Sequence, residues 1–376
     1  MWRLYNRKDL LMNKKKLGLA NVVSISVGLV VATSCLVSLG EGSGTLGVTF
    51  ILAMAIAMLL NMTTVASLSE LNALMPNTTG GLAQYTLAAL GPLPTLVSMV
   101  GGYIICNTMS CGVEASIFSF SLADTIGGNI PSIVYTFIMT FIILLANLRG
   151  VDMFAKIQDI VAFLLVGSLV VMGFIGMIGA GTGVKVEQPL VLEADFKSIA
   201  SMTAVAFWLF IGAEYAIPIS KEVKNAKRNV PLGMMIGLFL IFIMQSVMVF
   251  GFHNYVEWGK LADSAAPHLL YGYAILGKFG KIWMMLVGAL AVISTQNSTV
   301  NSLAVICQGM AKMNMMPKIF AKTNKYKVPW FGQVFVSAAI FLFAFVSNNS
   351  ADMIDFLILA GSVIWMVSYI LAHIDV

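Results

Sequence analysis

The stretch LGLANVVSISVGLVVATSCLVSL, residues 17–39, decides the fold class because it contains no charged side chain. An α-helix needs about 20 apolar residues to cross the hydrocarbon core of a bilayer. The apolar region of a cleaved signal peptide is shorter and ends in a small-x-small cleavage site, which this stretch lacks. We therefore predict that it forms the first membrane-spanning helix.

The composition of the whole chain is also typical of a membrane protein. Of its 376 residues, 59% are hydrophobic and 10% are charged, whereas a soluble domain carries about 25% charged residues. This deficit excludes an ordinary soluble enzyme. The net charge of +5 is explained by membrane orientation, so we predict no nucleic acid partner. The four cysteines lack CxxC spacing and nearby histidines, so we predict no disulfide framework, metal site or cofactor.

Apolar runs predict about ten membrane-spanning helices, which we number as spans 1 to 10. They lie near residues 18–39, 45–67, 93–122, 131–148, 157–180, 198–219, 231–252, 282–307, 330–346 and 353–374. Backbone polar groups in hydrocarbon must be hydrogen-bonded within the protein, and runs this long and continuous favour helices over barrel strands. The predicted fold class is all-α.

Lysine and arginine predict the orientation of the chain. With the N-terminus inside, 17 of the 22 basic residues flank the inner ends of the spans. Cytoplasmic flanks collect these residues in membrane proteins. We therefore predict a multi-pass protein of the cell membrane with both termini in the cytoplasm.

Spans 1 and 6 both contain interruptions. The first lies around Ser26–Gly28 and the second around Gly212. The two spans run in opposite directions and begin two halves of five helices each, residues 18–180 and 198–374. Broken helices at matching positions indicate an inverted-repeat transporter with a binding site at the membrane midplane. Alternatively, these helices simply tolerate glycine and proline, as membrane helices do.

Three motifs carry a resemblance to a known family. They are ELNALMPNTTGGLAQY at Glu70–Tyr85, followed by Leu90-Gly91-Pro92; FWLFIGAE at 207–214, followed by EVKNAKRNVP at 222–231; and MAKMNMMP at 310–317. In order and spacing, these motifs resemble those of the amino acid–polyamine–organocation permeases. The resemblance covers roughly residues 15–376.

The resemblance implies a LeuT-like fold of two inverted five-helix repeats, within a single transmembrane domain of residues 1–376. It also implies a permease or antiporter that moves amino acids or related amines by alternating access. Family members commonly have twelve helices. We therefore expect either that the last two helices are dispensable here or that the chain is truncated.

The resemblance places a substrate carboxylate against free backbone amides in the broken part of span 1. The matching residues are Ser26, Gly28, Thr33 and Ser34. Two later glycines of the family are replaced by Ala32 and Ser34, whose side chains narrow the approach of a ligand to the backbone. The hydroxyls of Thr33 and Ser34 compensate for this change, unless they bond to carbonyls of their own helix.

Span 6 is expected to supply the other half of the site. We expect substrate contacts from Phe207 and Trp208, and a break at Gly212; the aromatic gate of the family matches Trp208. Alternatively, these aromatic residues serve packing or the interfacial belt. A carboxylate near the bilayer centre costs at least ~2.5 kcal/mol, so Glu214 is protonated, paired or functional. We predict that it carries a coupling proton, and a structural hydrogen bond is the alternative.

Span 3 carries a polar stripe. Tyr103, Asn107, Ser110 and Glu114 recur at helical spacing, which predicts one face that lines a central cavity. Glu114 would be a second buried acid in the membrane. This favours recognition of an ammonium group and a second proton-coupling site, with a structural hydrogen-bond network as the alternative.

Spans 8 and 10 carry weaker stripes of polar and aromatic residues. Small polar residues often join membrane helices to one another, and we assign most of these residues to that role. They are Ser294, Ser298, Gln308, Trp365, Tyr369 and His373. We predict cavity contacts for Asn301 and Ser362.

The sequence therefore predicts a secondary active transporter of a small molecule, an amino acid or a related amine. It leaves open the substrate, the oligomeric state, and whether H⁺, Na⁺ or a counter-substrate drives transport. The alternative is a transport-inactive homologue that acts as an amino-acid sensor or binds a partner protein. An enzyme is not predicted, because the chain lacks GxSxG, HExxH and Walker motifs.

Overall fold

The computed structural model describes residues 16–75, 82–126, 130–192, 194–264, 266–347 and 351–376. The first 15 residues, with five of the predicted cytoplasmic basic residues, lie outside the described residues. So do residues 76–81 of the motif at Glu70–Tyr85. Within the described part, regular structure is helical apart from two isolated β-bridges. The all-α prediction is confirmed.

The helices follow the predicted spans. They are α1 Leu19–Val30, α2 Thr33–Leu46, α3 Phe50–Leu74, α4 Leu82–Leu90, α5 Pro92–Leu96, α6 Cys106–Ile126, α7 Ser132–Asn147, α8 Val151–Met177, α9 Phe196–Trp208, α10 Ala226–Tyr255, α11 Trp258–Ala262, α12 Pro267–Lys312, α13 Trp330–Ser347 and α14 Ala351–Ile374. A π-helix, Val97–Ile105, joins α5 to α6. Short 3-10 turns occupy Ala213–Ala216, Ser220–Glu222 and Lys318–Ala321.

Among the described residues, seven helical segments are long and apolar enough to cross a membrane. The pair α1 and α2, bent by 65° at its junction, adds an eighth as a broken span. The helix α7 and the apolar segment Val363–Ile374 of α14 are shorter. The chain is thus a multi-pass membrane protein, while the count of ten spans stays a prediction.

Span 1 breaks between α1 and α2, at residues 31–32, where the backbone leaves helical geometry. The predicted position at Ser26–Gly28 was wrong, since these residues are helical. Gly28 serves packing instead. A Cβ atom added to it would lie 1.5 Å from Gln158 Nε2 of α8 and 2.7 Å from Ser294 Oγ of α12. A residue without a side chain is therefore needed where the three helices meet.

Span 6 breaks where the sequence predicts. The helix α9 ends at Trp208, and Gly212 adopts a φ of +115° before a 3-10 turn begins. This left-handed conformation favours glycine. A Cβ atom at Gly212 would lie 2.5 Å from Leu29 Cδ2 of α1. The two broken spans therefore meet in the interior, as predicted.

Leu17, two residues before α1, is joined to the loop that follows span 6. Leu17 N donates to Glu222 O at 2.8 Å, and Lys224 N donates to Leu17 O at 2.8 Å. These bonds form one of the isolated β-bridges, between Leu17 and Val223. Backbone groups thus connect the two predicted halves of the chain at this end.

Candidate functional site

A small cavity lies where the broken spans meet. It is lined by Leu29, Val30, Ala32 and Cys35 of span 1, Asn107, Ser110, Cys111 and Glu114 of α6, Trp208 and Ile211 of span 6, Thr295 of α12, and Trp365 of α14. Its volume is about 30 Å³, which has room for about two water molecules. A lining group must therefore move before a molecule the size of an amino acid can enter.

Glu114 is the acidic residue of the cavity lining, and its side chain is only 3% exposed. Ser34 Oγ donates a hydrogen bond of 2.8 Å to Glu114 Oε1. The second carboxylate oxygen, Oε2, has no hydrogen-bond partner among the described residues. One oxygen is thus held by span 1, and the other is available to a donor that enters the cavity.

Trp208 covers one side of this cavity. Its Nε1 atom donates to Ser34 Oγ at 3.0 Å, and its ring packs edge-on against Trp365 with centroids 6.1 Å apart. Ser34 accepts this bond from span 6 and donates its own proton to Glu114 of span 3. A hydrogen-bonded chain therefore links spans 1, 3 and 6 across the cavity wall.

The first turn of α2 faces the same carboxyl group. Its N-cap residue, Ala32, makes no side-chain hydrogen bond to the turn, and Ser34 of this turn donates to Glu114. The free amides at a helix start carry partial positive charge. Glu114 therefore provides, from α6, an acid that the start of α2 lacks in its own sequence.

Glu214 lies in a separate aromatic cluster. Its side chain is 2% exposed, and its Oε1 atom accepts a hydrogen bond of 2.9 Å from Tyr369 Oη. The rings of Tyr103, Tyr215 and Trp365 pack against one another with centroids 6.1–6.4 Å apart. Trp365 also packs on Tyr369 at 6.3 Å and lines the cavity. The indole ring of Trp365 therefore lies between the surroundings of Glu114 and those of Glu214.

The structure brings some of the predicted site residues together and leaves others apart. Ser34, Ser110, Glu114 and Trp208 lie at the cavity. The lining does not include Ser26, Gly28, Thr33, Phe207, Gly212 or Asn301 within the described part of the chain. Ser26 packs beside Gly237 of α10, and the Phe207 ring lies 6.2 Å from that of Tyr369. The side chain of Ser362 is outside the described residues.

Sequence reasoning missed Thr295 and assigned Trp365 to packing, although both line the cavity. Thr295 follows Ser294, which instead accepts a hydrogen bond of 2.6 Å from Gln158 Nε2. Tyr103 was predicted on the cavity face but packs in the aromatic cluster. It lies in the π-helix, whose i→i+5 hydrogen bonds change the angular spacing of side chains relative to an α-helix.

Two broken helices that meet beside a small cavity, in a helical membrane protein, define the LeuT-like class of transporter folds. The crystal structure of MhsT in complex with L-phenylalanine has this fold. It superimposes on this chain with a TM-score of 0.63 at 14% identity, over 94% of this chain and 87% of MhsT. At this level of identity the similarity establishes the fold alone.

The family follows from the sequence match over nearly the whole chain. Residues 21–375 match the family described as Amino acid permease. The chain belongs to this family, whose members are membrane transporters and not enzymes. This confirms the resemblance drawn from the three motifs.

Individual relatives are distant. The arginine/ornithine antiporter of Latilactobacillus sakei is 24% identical over 389 aligned positions, which cover 93% of this chain and 80% of that protein. A candidate arginine/ornithine antiporter of Bacillus subtilis (strain 168) is 27% identical over 172 residues, or 44% of this chain. That match spans only 36% of the Bacillus protein's length.

Proposed function

We propose that this protein is a secondary active transporter that moves amino acids or related amines by alternating access. The observation that carries the proposal is the contact of Gly212 with Leu29, which joins two broken helices beside a small cavity lined by Glu114. Broken helices of this kind form the midplane sites of inverted-repeat transporters. The names of the two antiporter relatives support a substrate of this class.

The geometry supports distinct roles for the two buried acids. Glu114 lines the cavity and has a free carboxylate oxygen, so it is our candidate to bind a substrate ammonium group. Trp208 is our candidate gate because it covers the cavity. Glu214 is bonded to Tyr369 outside the cavity lining, so it is our candidate proton carrier. Proton and substrate would then bind at separate places.

The orientation of the chain in the membrane and its division into two repeats are also part of the proposal. We place both termini in the cytoplasm and divide the chain into repeats at 18–180 and 198–374. The basic residues at the predicted inner ends of the spans support this orientation. The two breaks support the division, since they fall in the first helix of each repeat.

Transport into proteoliposomes tests the proposed function. A panel of common amino acids and polyamines should reveal saturable uptake or exchange, measured at two pH values with and without sodium. This design also identifies the coupling ion or counter-substrate. Absence of saturable flux for every compound would contradict transport. Ligand-dependent thermal stabilisation without flux would instead favour a sensor.

A further inference from the structure

We propose that a basic pocket at the starts of α1 and α10 binds a phosphate group. The pocket has a volume of about 470 Å³ and lies between the segment before α1 and the loop that follows span 6. Its cationic residues are Lys16, Lys221, Lys227 and Arg228. The inference goes beyond the proposed function, because binding of a phosphate group does not require transport.

The charge of the basic pocket favours an anion. Its four cationic residues are exposed, and within the described chain the lining contains no aspartate or glutamate. The nearest acid in the sequence, Glu222, is not part of the lining. Partial burial and the nearby charge of Lys312 lower the pKa of Lys221, so like charges are crowded here. A phosphate group would relieve this crowding and accept hydrogen bonds from lysine and arginine.

The start of α10 adds backbone donors to the basic pocket. Ala226, the first residue of this helix, and its N-cap residue Asn225 both line the pocket. Asn225 makes no side-chain hydrogen bond to the helix, and the amides of Ala226 and Lys227 donate to no acceptor within the described chain. Free amides at a helix start carry partial positive charge and bind phosphate groups. The backbone therefore favours the same ligand as the side chains.

A buried hydroxyl group provides an independent indication of a ligand. Ser220 lines the basic pocket and is only 2% exposed. Its hydroxyl oxygen makes no hydrogen bond to another described residue, yet it is not sealed from solvent. Buried polar groups nearly always have a partner. A phosphate oxygen in the pocket would accept a hydrogen bond from this hydroxyl group.

The location of the basic pocket favours a phospholipid headgroup as the source of the phosphate. Lys16 lies just before α1, and Arg228 lies in the first turn of α10. Both helices belong to membrane spans. The backbone bonds of Leu17 to Glu222 and Lys224 hold the two sides of the pocket together. Lipid headgroups lie at the ends of membrane helices, where basic pockets bind them.

Membrane orientation alone does not explain this arrangement. The orientation rule requires basic residues at the cytoplasmic flanks of the spans, and charges spread over that surface would satisfy it. It does not require four cations from two segments to line one pocket with a helix start and a buried hydroxyl group. These features together indicate a binding site.

Thermal unfolding of the purified protein in an uncharged detergent tests the inference. The probes are inorganic phosphate, dihexanoylphosphatidylglycerol and dihexanoylphosphatidylcholine, each titrated at constant ionic strength. A ligand that binds the folded protein raises the unfolding temperature as its concentration increases. Phosphatidylglycerol should give a saturable rise, with an apparent affinity at least about fivefold higher than that of phosphatidylcholine, whose choline group cancels the negative charge.

Variants then assign the binding to the basic pocket. K227Q/R228Q should lower the apparent affinity for phosphatidylglycerol at least about tenfold, because it removes two charged donors to the phosphate. K318Q/K322Q is the matched control. It removes the same number of charges at two exposed lysines outside the lining, so it should bind like the unmodified protein.

The outcomes also distinguish the source of the phosphate. Saturation with phosphatidylglycerol alone would assign a lipid headgroup, saturation with inorganic phosphate alone would assign a soluble phosphate compound, and saturation with both would show that either is accepted. Absence of saturation with both, or equal affinity in K227Q/R228Q and K318Q/K322Q, would contradict the inference. If K227Q/R228Q does not fold, K16Q decides the question and should weaken binding about 3- to 10-fold. Uptake into proteoliposomes tests the proposed function separately.

Discussion

Trp208 Nε1 donates a hydrogen bond of 3.0 Å to Ser34 Oγ, so the last residue of α9 is bonded to the first turn of α2. These helices belong to the two broken spans. Opening the cavity on the side of Trp208 must break this bond. A hydrogen bond contributes about 0.5–1.5 kcal/mol to stability, so it favours the closed cavity without locking it.

Two cysteines of the lining can report this opening. Cys35 and Cys111 are free thiols at the cavity. In single-cysteine variants, W208F should raise the labelling rate of either thiol with a small maleimide by about 2- to 10-fold, because the closed state loses about 0.5–1.5 kcal/mol. Cys307, buried outside the lining, is the control and should keep its rate. Unchanged labelling of Cys35 would argue against Trp208 as a gate.

Gly212 tests whether the break in span 6 depends on backbone strain. G212A should lower stability by about 1–3 kcal/mol, since alanine is strained at positive φ. Its Cβ atom would also lie 2.5 Å from Leu29 Cδ2. Adding L29A removes this overlap but leaves the strain, so it should not restore stability. Thermal unfolding in detergent measures G212A, L29A and the double variant, and full rescue by L29A would show that the overlap alone matters.

Gly28 tests packing between α1 and α8. G28A should cost about 1–3 kcal/mol through overpacking, because the new Cβ atom would lie 1.5 Å from Gln158 Nε2. The cost should be smaller in a Q158A background. A double-mutant cycle of unfolding temperatures should therefore show a coupling of about 0.5–3 kcal/mol. Additive effects would contradict the described contact.

Glu214 tests the proposed route of the proton. E214Q cannot release a proton but keeps an oxygen that accepts from Tyr369. Uptake into proteoliposomes should therefore lose its dependence on pH between 5.5 and 7.5. E41Q, at an exposed acid, should keep the original profile. If E214Q also keeps it, Glu214 is not the proton carrier.

The hydrogen bond at the N-cap of α9 should stabilise the fold equally at pH 5.5 and pH 7.5. Asp195 accepts a hydrogen bond of 2.8 Å from Ser198 N, and hydrogen bonds from Ser198 hold the pKa of this exposed carboxyl below its ordinary value of 3.8. A lowered pKa stabilises the fold above the unfolded-state pKa, and this contribution is lost as the pH falls through the folded-state pKa. D195A should therefore lower the unfolding temperature equally at pH 5.5 and 7.5. A loss that shrinks at pH 5.5 would contradict this assignment.

The sequence predicts one break of the fold better than the other, for a physical reason. Gly212 has a positive φ, which glycine tolerates and other residues rarely adopt. The break of span 1 falls at residues 31–32, whose φ angles of −85° and −97° are negative and do not require glycine. Gly28 suggests a helix break when the sequence is considered alone, but in the structure it allows close packing between helices. The identity of a glycine does not distinguish these two uses.

The site is predictable in part for similar reasons. Glu114 stands out because an acid in an apolar helix is rare, and it lies at the cavity. Thr295 and Ser294 are adjacent and chemically alike, so which of them lines the cavity depends on how α12 packs against its neighbours. Tyr103 leaves the predicted face because of a π-helix, whose position no local pattern indicated.

The backbone of Leu17 is hydrogen-bonded to the backbone of Glu222 and Lys224. These two bonds hold the segment before α1 against the loop that follows span 6. In the proposed transport cycle, movement of one proposed repeat relative to the other would either carry this loop along or break these two hydrogen bonds. At about 0.5–1.5 kcal/mol for each bond, breaking both costs about 1–3 kcal/mol. Coupling free energies between distant ligand sites commonly fall in the same range. Because both bonds join backbone groups, a substitution that changes only a side chain leaves their donors and acceptors in place. Proline at Leu17 or Lys224 would remove one of the two donors.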